Sequence, residues 1–255
     1  MKRYPWLLAI LLVNPKGTGQ YPTIQSAIDA AVNGDEVHLA SGPFTGPGNR
    51  DIDLLGKTIA VKGVGDILSE IWPHSDGLPH RAFIFRSGEG PDTWIENIGV
   101  IWAESDSLGA VLIQGSSPTF FKCLFEGNNC TPIVNMGGSP LFSYVGITGN
   151  QGGIRSTNGY LKIENSLIHQ NNTERGGVVR MDGGYILDSE LNGNSFDLTI
   201  TPGGESCVYI VNTFFHSIQT LSGACVRILK GKPADDFAPL TLSPLSWAAI
   251  KVKYR

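Results

Sequence analysis

Short apolar stretches separated by glycine, serine and asparagine run through most of the chain, and from Pro118 onward they recur at a nearly fixed interval. The segment SSPTFFKCLFEGNN is followed 22 residues later by GSPLFSYVGITGNQ, which aligns Pro118 with Pro140, Phe120 with Phe142, Cys123 with Val145, Phe125 with Ile147 and Asn128 with Asn150. LKIENSLIHQNN then places Ile168 and Asn171 in the same slots, YILDSELNGNS places Leu191 and Asn194, and CVYIVNTFFHS places Phe214 and Ser217. Successive steps in the asparagine column are 22, 21, 23 and 23 residues. This period suits coils of about three short strands, and it is too short for helical repeats. Each coil is expected to stack an inward side chain on its counterpart about 4.8 Å away. Phe125, Ile147, Ile168, Leu191 and Phe214 are predicted to form one such internal column. Asn128, Asn150, Asn171 and Asn194 fall three residues later, where the chain turns. They are predicted to take left-handed geometry and to bond from coil to coil, a structural role.

The N-terminal pattern is different. Ile24, Ala27, Ile28 and Ala31 follow helical spacing, Thr23 stands where a cap is needed, and Asn33, Gly34 and Asp35 end the run. Glu36 to Ala40 then alternate as a strand. The helix is expected to cover the open end of the coil stack and to block strand addition there. Before it, Met1, Lys2 and Arg3 precede the apolar run YPWLLAILLV, which is too short to span a bilayer. Residues 1–13 therefore read either as a signal-like segment or, through Leu11, Leu12 and Val13, as a first strand. Residues 14–231 form the repeat domain. The proline-rich stretch 232–255 is expected to be an irregular cover over the last coil, with Phe237 and Trp247 lying on its core.

Composition narrows the classes of function. With 41% hydrophobic and only 16% charged residues, the chain can bury a large core and is no disordered polyelectrolyte. Its net charge of −4 argues against a broad basic face, so no nucleic-acid partner is expected. The four cysteines contain no CxxC pair, which disfavours a zinc or redox site. In an oxidising compartment Cys207 with Cys225, and Cys123 with Cys130, are candidate pairs; the alternative is that Cys123 and Cys207 are small buried apolar residues.

The opening GTGQYPTIQSAIDAAVNGDEVHLASGPFTG, followed by NRDIDLLGKTIAVKG, resembles the capping helix and first turn of right-handed parallel β-helix proteins of the pectin-lyase-like superfamily. Together with the repeats, the resemblance extends to about residue 230. It implies an all-β fold, a single right-handed parallel β-helix of eight or nine coils with a short N-terminal capping helix. That fold is shared with pectate lyases, pectin methylesterases, polygalacturonases and many bacterial surface proteins, and fold alone does not give function. The catalytic strings of those enzyme families are missing from this chain, so no catalytic set carries over. A calcium-assisted lyase stays open, because Ca²⁺ needs only several oxygens in a pocket; otherwise no cofactor is expected.

Several groups of residues are candidates for chemistry. Asp51 and Asp53, at i and i+2, point to one strand face and are candidates for a cation, unless they bond local backbone donors. Gln114, Met136, Arg155, Arg180 and Arg227 occur at roughly matching places in successive coils. A row of guanidinium groups suits the carboxylates or sulfates of an acidic glycan, against the alternative that each arginine is paired on the same surface. Asp182 and Asp188, with Glu190, supply acids near Arg155 and Arg180. Trp72, Trp94 and Trp102, with His74 and His80, occupy an irregular segment where exposed indoles could stack on sugar rings. His74 and His80 lack a recognised metal spacing. The reading is a secreted or surface protein, monomeric and without a membrane anchor, that binds an extended polysaccharide along its outer strand face through Gln114, Arg155, Arg180, Arg227, Trp94 and Trp102. The alternatives are a divergent polysaccharide lyase or glycoside hydrolase using Arg155, Arg180, Asp182 and Asp188, and a structural adhesin or spacer.

Overall fold

Alternate residues of each repeat turn inward and stack on their counterparts, closing the chain into a parallel β-solenoid of about nine turns. The computed structural model describes residues 8–65, 68–74, 76–105, 109–173, 177–203 and 206–229. Each coil contributes in chain order to sheet 1, sheet 2 and sheet 3. Sheet 1 has ten strands, from Ile10–Val13 to Cys225–Leu229; sheet 2 has eight, from Gly42–Phe44 to Phe214–Phe215; sheet 3 has eight, from Ile52–Asp53 to Ile218–Thr220. Neighbouring strands pair in parallel.

In sheet 1 the inward column runs Val37, Val61, Ile95, Phe120, Phe142, Ile163, Ile186 and Ile210. All are fully or almost fully buried. The rings of Phe120 and Phe142 stack at 4.8 Å with an 11° tilt, matching the strand spacing. Full burial of each such side chain is worth roughly 1.5–3 kcal/mol. In sheet 2, Phe125, Ile147, Ile168 and Leu191 pair as the repeat predicts. Leu191 then pairs with Phe215, not Phe214, and Phe214 is left exposed. The last step is one residue longer than the step before it, which turns the expected phenylalanine outward.

Left-handed residues mark the corners, including Gly88, Gly115, Gly137 and Asn158 between sheets 3 and 1. Between sheets 1 and 2 they are Asn97, Lys122, Tyr144, Asn165, Asp188 and Asn212; between sheets 2 and 3 they are Trp102, Gly127, Gly149, Gln170 and Gly193. The asparagine column stands one position after this second set, so left-handed geometry belongs to the preceding residue. The buried amides form a ladder: Asn128 Nδ2 donates to Asn150 Oδ1 at 2.8 Å, Asn150 to Asn171 at 2.8 Å and Asn171 to Asn194 at 3.2 Å.

The single described helix, Ile24–Ala30, is capped by Thr23 and Ser26 in a reciprocal box and buries Ile24, Ala27 and Ile28. Lys57 Nζ closes its other end on the carbonyls of Ile28, Asp29 and Ala31. Ile10–Val13 is a strand of sheet 1 that pairs with Glu36–Leu39, and it buries Leu11 and Val13. The expected cover at 232–255 lies outside the described residues. No helix among the described residues is long and apolar enough to cross a membrane.

Glu89, absent from the sequence expectations, ties three coils at the corner from sheet 3 to sheet 1. Its carboxylate accepts the amides of Gly56 at 2.9 Å and Ser87 at 3.0 Å, and the Ser116 hydroxyl at 2.7 Å. Burial alone would raise its pKa, but these hydrogen bonds outweigh burial and hold it below the ordinary glutamate value.

Candidate functional site

Inward positions are filled by the core, so chemistry is left to the outward residues of the three sheets and to the corners. On sheet 1 the outward residues include an aromatic track crossing three coils. Trp94 faces Phe121 with ring centroids 5.8 Å apart, and Phe121 meets Tyr144 edge-on at 5.7 Å. Phe121 is the outward neighbour of the buried Phe120, and Tyr144 is a left-handed corner residue, which projects its ring from the surface at 46% exposure. Lys122, also at the corner, lies 5.1 Å from the Phe121 ring centre. Farther along the sheet, Tyr160 and Tyr185 meet at 6.4 Å and the Tyr185 hydroxyl bonds Glu164. Burial, then that bond and the charge of Glu164, push the Tyr185 phenol up.

Sheet 3 carries the arginine pair. Arg155 and Arg180 are direct partners on adjacent coils, as the repeat predicts. Arg180 is exposed, with no ion pair or hydrogen bond among the described residues. Gln114 pairs with Met136, and Met136 with Thr157, in a column two residues farther along the strands. Arg227 is not in this row. It lies on sheet 1, opposite Tyr209 in the ladder and 5.9 Å from that ring.

The acids do not gather beside the arginines as one set. Asp182 sits at the corner after sheet 3, 6% exposed; one oxygen accepts the Asn158 amide and the other has no hydrogen bond. Asp188 lies beyond the whole strand Gly184–Leu187, at the next corner, and accepts Asn212 Nδ2 at 3.0 Å. Asp51 and Asp53 are both engaged within the chain. Asp51 binds His80 Nδ1 at 2.6 Å and the Arg81 amide at 3.0 Å, while Asp53 binds Arg86 Nε at 3.0 Å and the Leu55 amide at 2.9 Å. No group of three or more histidine, cysteine, aspartate or glutamate side chains able to hold a metal ion occurs among the described residues.

Trp102 pairs with Trp72, centroids 4.6 Å apart, at the outer edge of sheet 2. The Trp72 indole donates to Glu70 at 2.8 Å. Glu70 is nearly buried, and Glu126, two coils on, is the second carboxyl of this face. Burial and then the charge of Glu70 raise the pKa of Glu126. Cys207 and Cys225 are joined in a disulfide, so Cys207 is not a free buried thiol, whereas Cys123 and Cys130 are not paired but free and buried, and burial pushes both thiols up, that of Cys123 to about 12.

Phe121, Tyr144, Glu70 and Glu126 were not among the residues singled out in the sequence. Strict alternation from the inward Phe120 and Phe125 would have placed Phe121 and Glu126 outward. Nothing in sequence order brings Glu70 near Glu126.

No family model and no curated protein matches the chain. Two solved structures are similar to it. One is the PL6 family alginate lyase AlyGC, at 13% identity and a TM-score of 0.43, with 87% of this chain and 39% of that one covered. The other is an alginate lyase from Paenibacillus sp. str. FPU-7, at 11% identity and a TM-score of 0.21, with 86% of this chain and 97% of that one covered. The chain thus spans about two fifths of the length of the first.

Proposed function

We infer that this protein binds an extended polysaccharide along the outer face of sheet 1, at the secreted or cell-surface location expected from its sequence. The observation that carries the reading is the track Trp94, Phe121 and Tyr144, whose neighbouring rings are 5.8 and 5.7 Å apart. Flat apolar faces repeated along a rigid strand ladder suit the faces of successive sugar rings, with little ordering cost on the protein side. Lys122 beside the track, and Arg180 on the neighbouring sheet, favour an acidic chain. The disulfide supports an oxidising compartment.

Titration calorimetry against alginate, pectin and a neutral glucan tests this. An acidic polysaccharide is expected to bind, and Trp94→Ala or Phe121→Ala should each weaken it about tenfold, or about 1.4 kcal/mol. Gln219→Ala, on sheet 3, should leave binding unchanged. Equal affinity in the track variants and the wild type would overturn the reading.

A second reading, a divergent glycoside hydrolase, is favoured by Glu70 and Glu126. A carboxylic acid whose pKa is raised by burial and by the charge of another carboxylate is an arrangement used in general acid–base catalysis, and the Trp72 indole, packed on Trp102, donates to Glu70. Under this reading Glu126→Gln abolishes product release while leaving binding to the track intact.

A further inference from the structure

We propose that Trp102 and Glu126 form a binding site for an amino sugar at the outer edge of sheet 2, with the pyranose ring on the exposed indole and its ammonium group on the carboxylate. The site involves no bond cleavage and lies on a different sheet from Trp94, Phe121 and Tyr144, so it goes beyond both readings above.

The backbone of Trp102 is the first observation. Its φ is 56°, at the corner where Gly127, Gly149 and Gly193 stand in later coils. A bulky side chain in left-handed geometry is an outlier that costs conformational energy. Here that geometry turns the ring out to 56% exposure. The ring is nevertheless held from both neighbouring coils. Trp72 of the preceding coil packs on it with centroids 4.6 Å apart, and Trp72 is itself fixed by its indole bond to Glu70 at 2.8 Å. In the following coil, Trp102 Cδ1 and Nε1 lie 3.3 and 3.4 Å from the point where a Cβ on Gly127 would stand, so the indole lies over a glycine that leaves it room. A fixed indole with an open face suits the apolar C–H face of a sugar ring, with little ordering cost on the protein side.

The charge beside that platform is the second observation. Glu126 directly precedes Gly127, and its backbone carbonyl accepts the Trp102 amide at 3.4 Å. Its carboxyl makes no hydrogen bond or ion pair among the described residues, and the charge that acts on it is that of Glu70, of the same sign. An ammonium group relieves this repulsion and supplies a charge-assisted hydrogen bond to Glu126. A neutral sugar leaves the repulsion as it is, and a uronate adds a third negative charge. The ligand class is therefore a sugar with a free amine, opposite in sign to the acidic chain of sheet 1.

Titration of the full-length chain with glucosamine, followed through the nitrogen-15 indole signals of its five tryptophans, tests the site at about pH 6.5, where the amine is protonated. The Trp102 and Trp72 signals should shift together, and that of Trp94 on sheet 1 should stay in place. N-acetylglucosamine, the same ring with its amine capped as a neutral amide, should bind about tenfold more weakly. Glu126→Gln should remove that preference, and Trp102→Ala should abolish binding of both sugars. Glucosamine has no glycosidic bond and no negative charge, so the result is independent of the hydrolase reading and of the acidic-chain reading. Equal affinity of the wild type for the two sugars, shifts at Trp94 without Trp102, or no shift at any indole would each overturn the site; these wild-type outcomes decide it if a variant does not fold.

Discussion

A single asparagine shows how much one residue type contributes when the fold repeats it. Asn150 makes four bonds at once: Oδ1 accepts the Asn128 amide at 2.9 Å and Asn128 Nδ2 at 2.8 Å, while Nδ2 donates to the Phe125 carbonyl at 3.0 Å and to Asn171 at 2.8 Å. Asn150→Leu keeps the volume but leaves buried donors and acceptors unmatched on both neighbouring coils. It should cost about 3 kcal/mol, read as a lower urea midpoint with an unchanged slope. A loss under about 0.5 kcal/mol would mean that water replaces the ladder. This column was legible in the sequence because its partners recur at one interval. What the repeat could not show was which residue of the corner turns left-handed. Glycine stands there in three coils, but Trp102 and Gln170 stand there in others. For the same reason Tyr144, held out by its own left-handed corner, was not foreseen as part of the aromatic track.

Corners are the elements on which coil-to-coil register depends, and the one built around Glu89 makes stability depend on pH. Its carboxylate is almost fully buried and answered by three donors from three coils. Because those bonds hold the folded pKa below the unfolded value of about 4.3, the stabilisation is fully present above that value and is lost as pH falls through the folded one. Glu89→Gln should therefore cost about 2 kcal/mol near neutral pH and flatten the acid limb of the stability curve. Urea unfolding across pH 3 to 7 checks both; a variant that keeps the wild-type acid limb would assign that limb to other carboxylates. The segment RSGEGPDTW reads locally as a loop, since the partners Gly56 and Ser116 lie in other coils. The arginine row was legible only in part for a related reason. Arg155 and Arg180 pair on sheet 3, but their column continues through Thr199 to Gln219, and Arg227, eight residues past Gln219, falls on sheet 1.

At the scale of the whole molecule, each coil touches only its neighbours, so stability propagates along the stack and need not be lost all at once. The far end of the described stack is the weak one. Phe214, Ile228 and Leu229 are about half exposed there, whereas the columns of the middle coils are sealed. The Cys207–Cys225 disulfide joins the last two sheet 1 strands at directly paired positions, across 18 residues of sequence. Closing a loop of that size is worth about 3 kcal/mol in the chain-entropy account, roughly a hundredfold in a local opening equilibrium. Nearest-neighbour coupling then dictates where the loss appears. With both cysteines changed to serine, amide exchange should accelerate roughly a hundredfold at Val208, Ile210 and Val226, while Phe120, Phe142 and Ile147 in the middle coils keep their protection. Equal acceleration in both groups would mean that the solenoid opens as one cooperative block, and the aromatic track would then share the fate of its distant end. Acceleration confined to the last coils would mean that the track sits on the part of the stack that survives local opening.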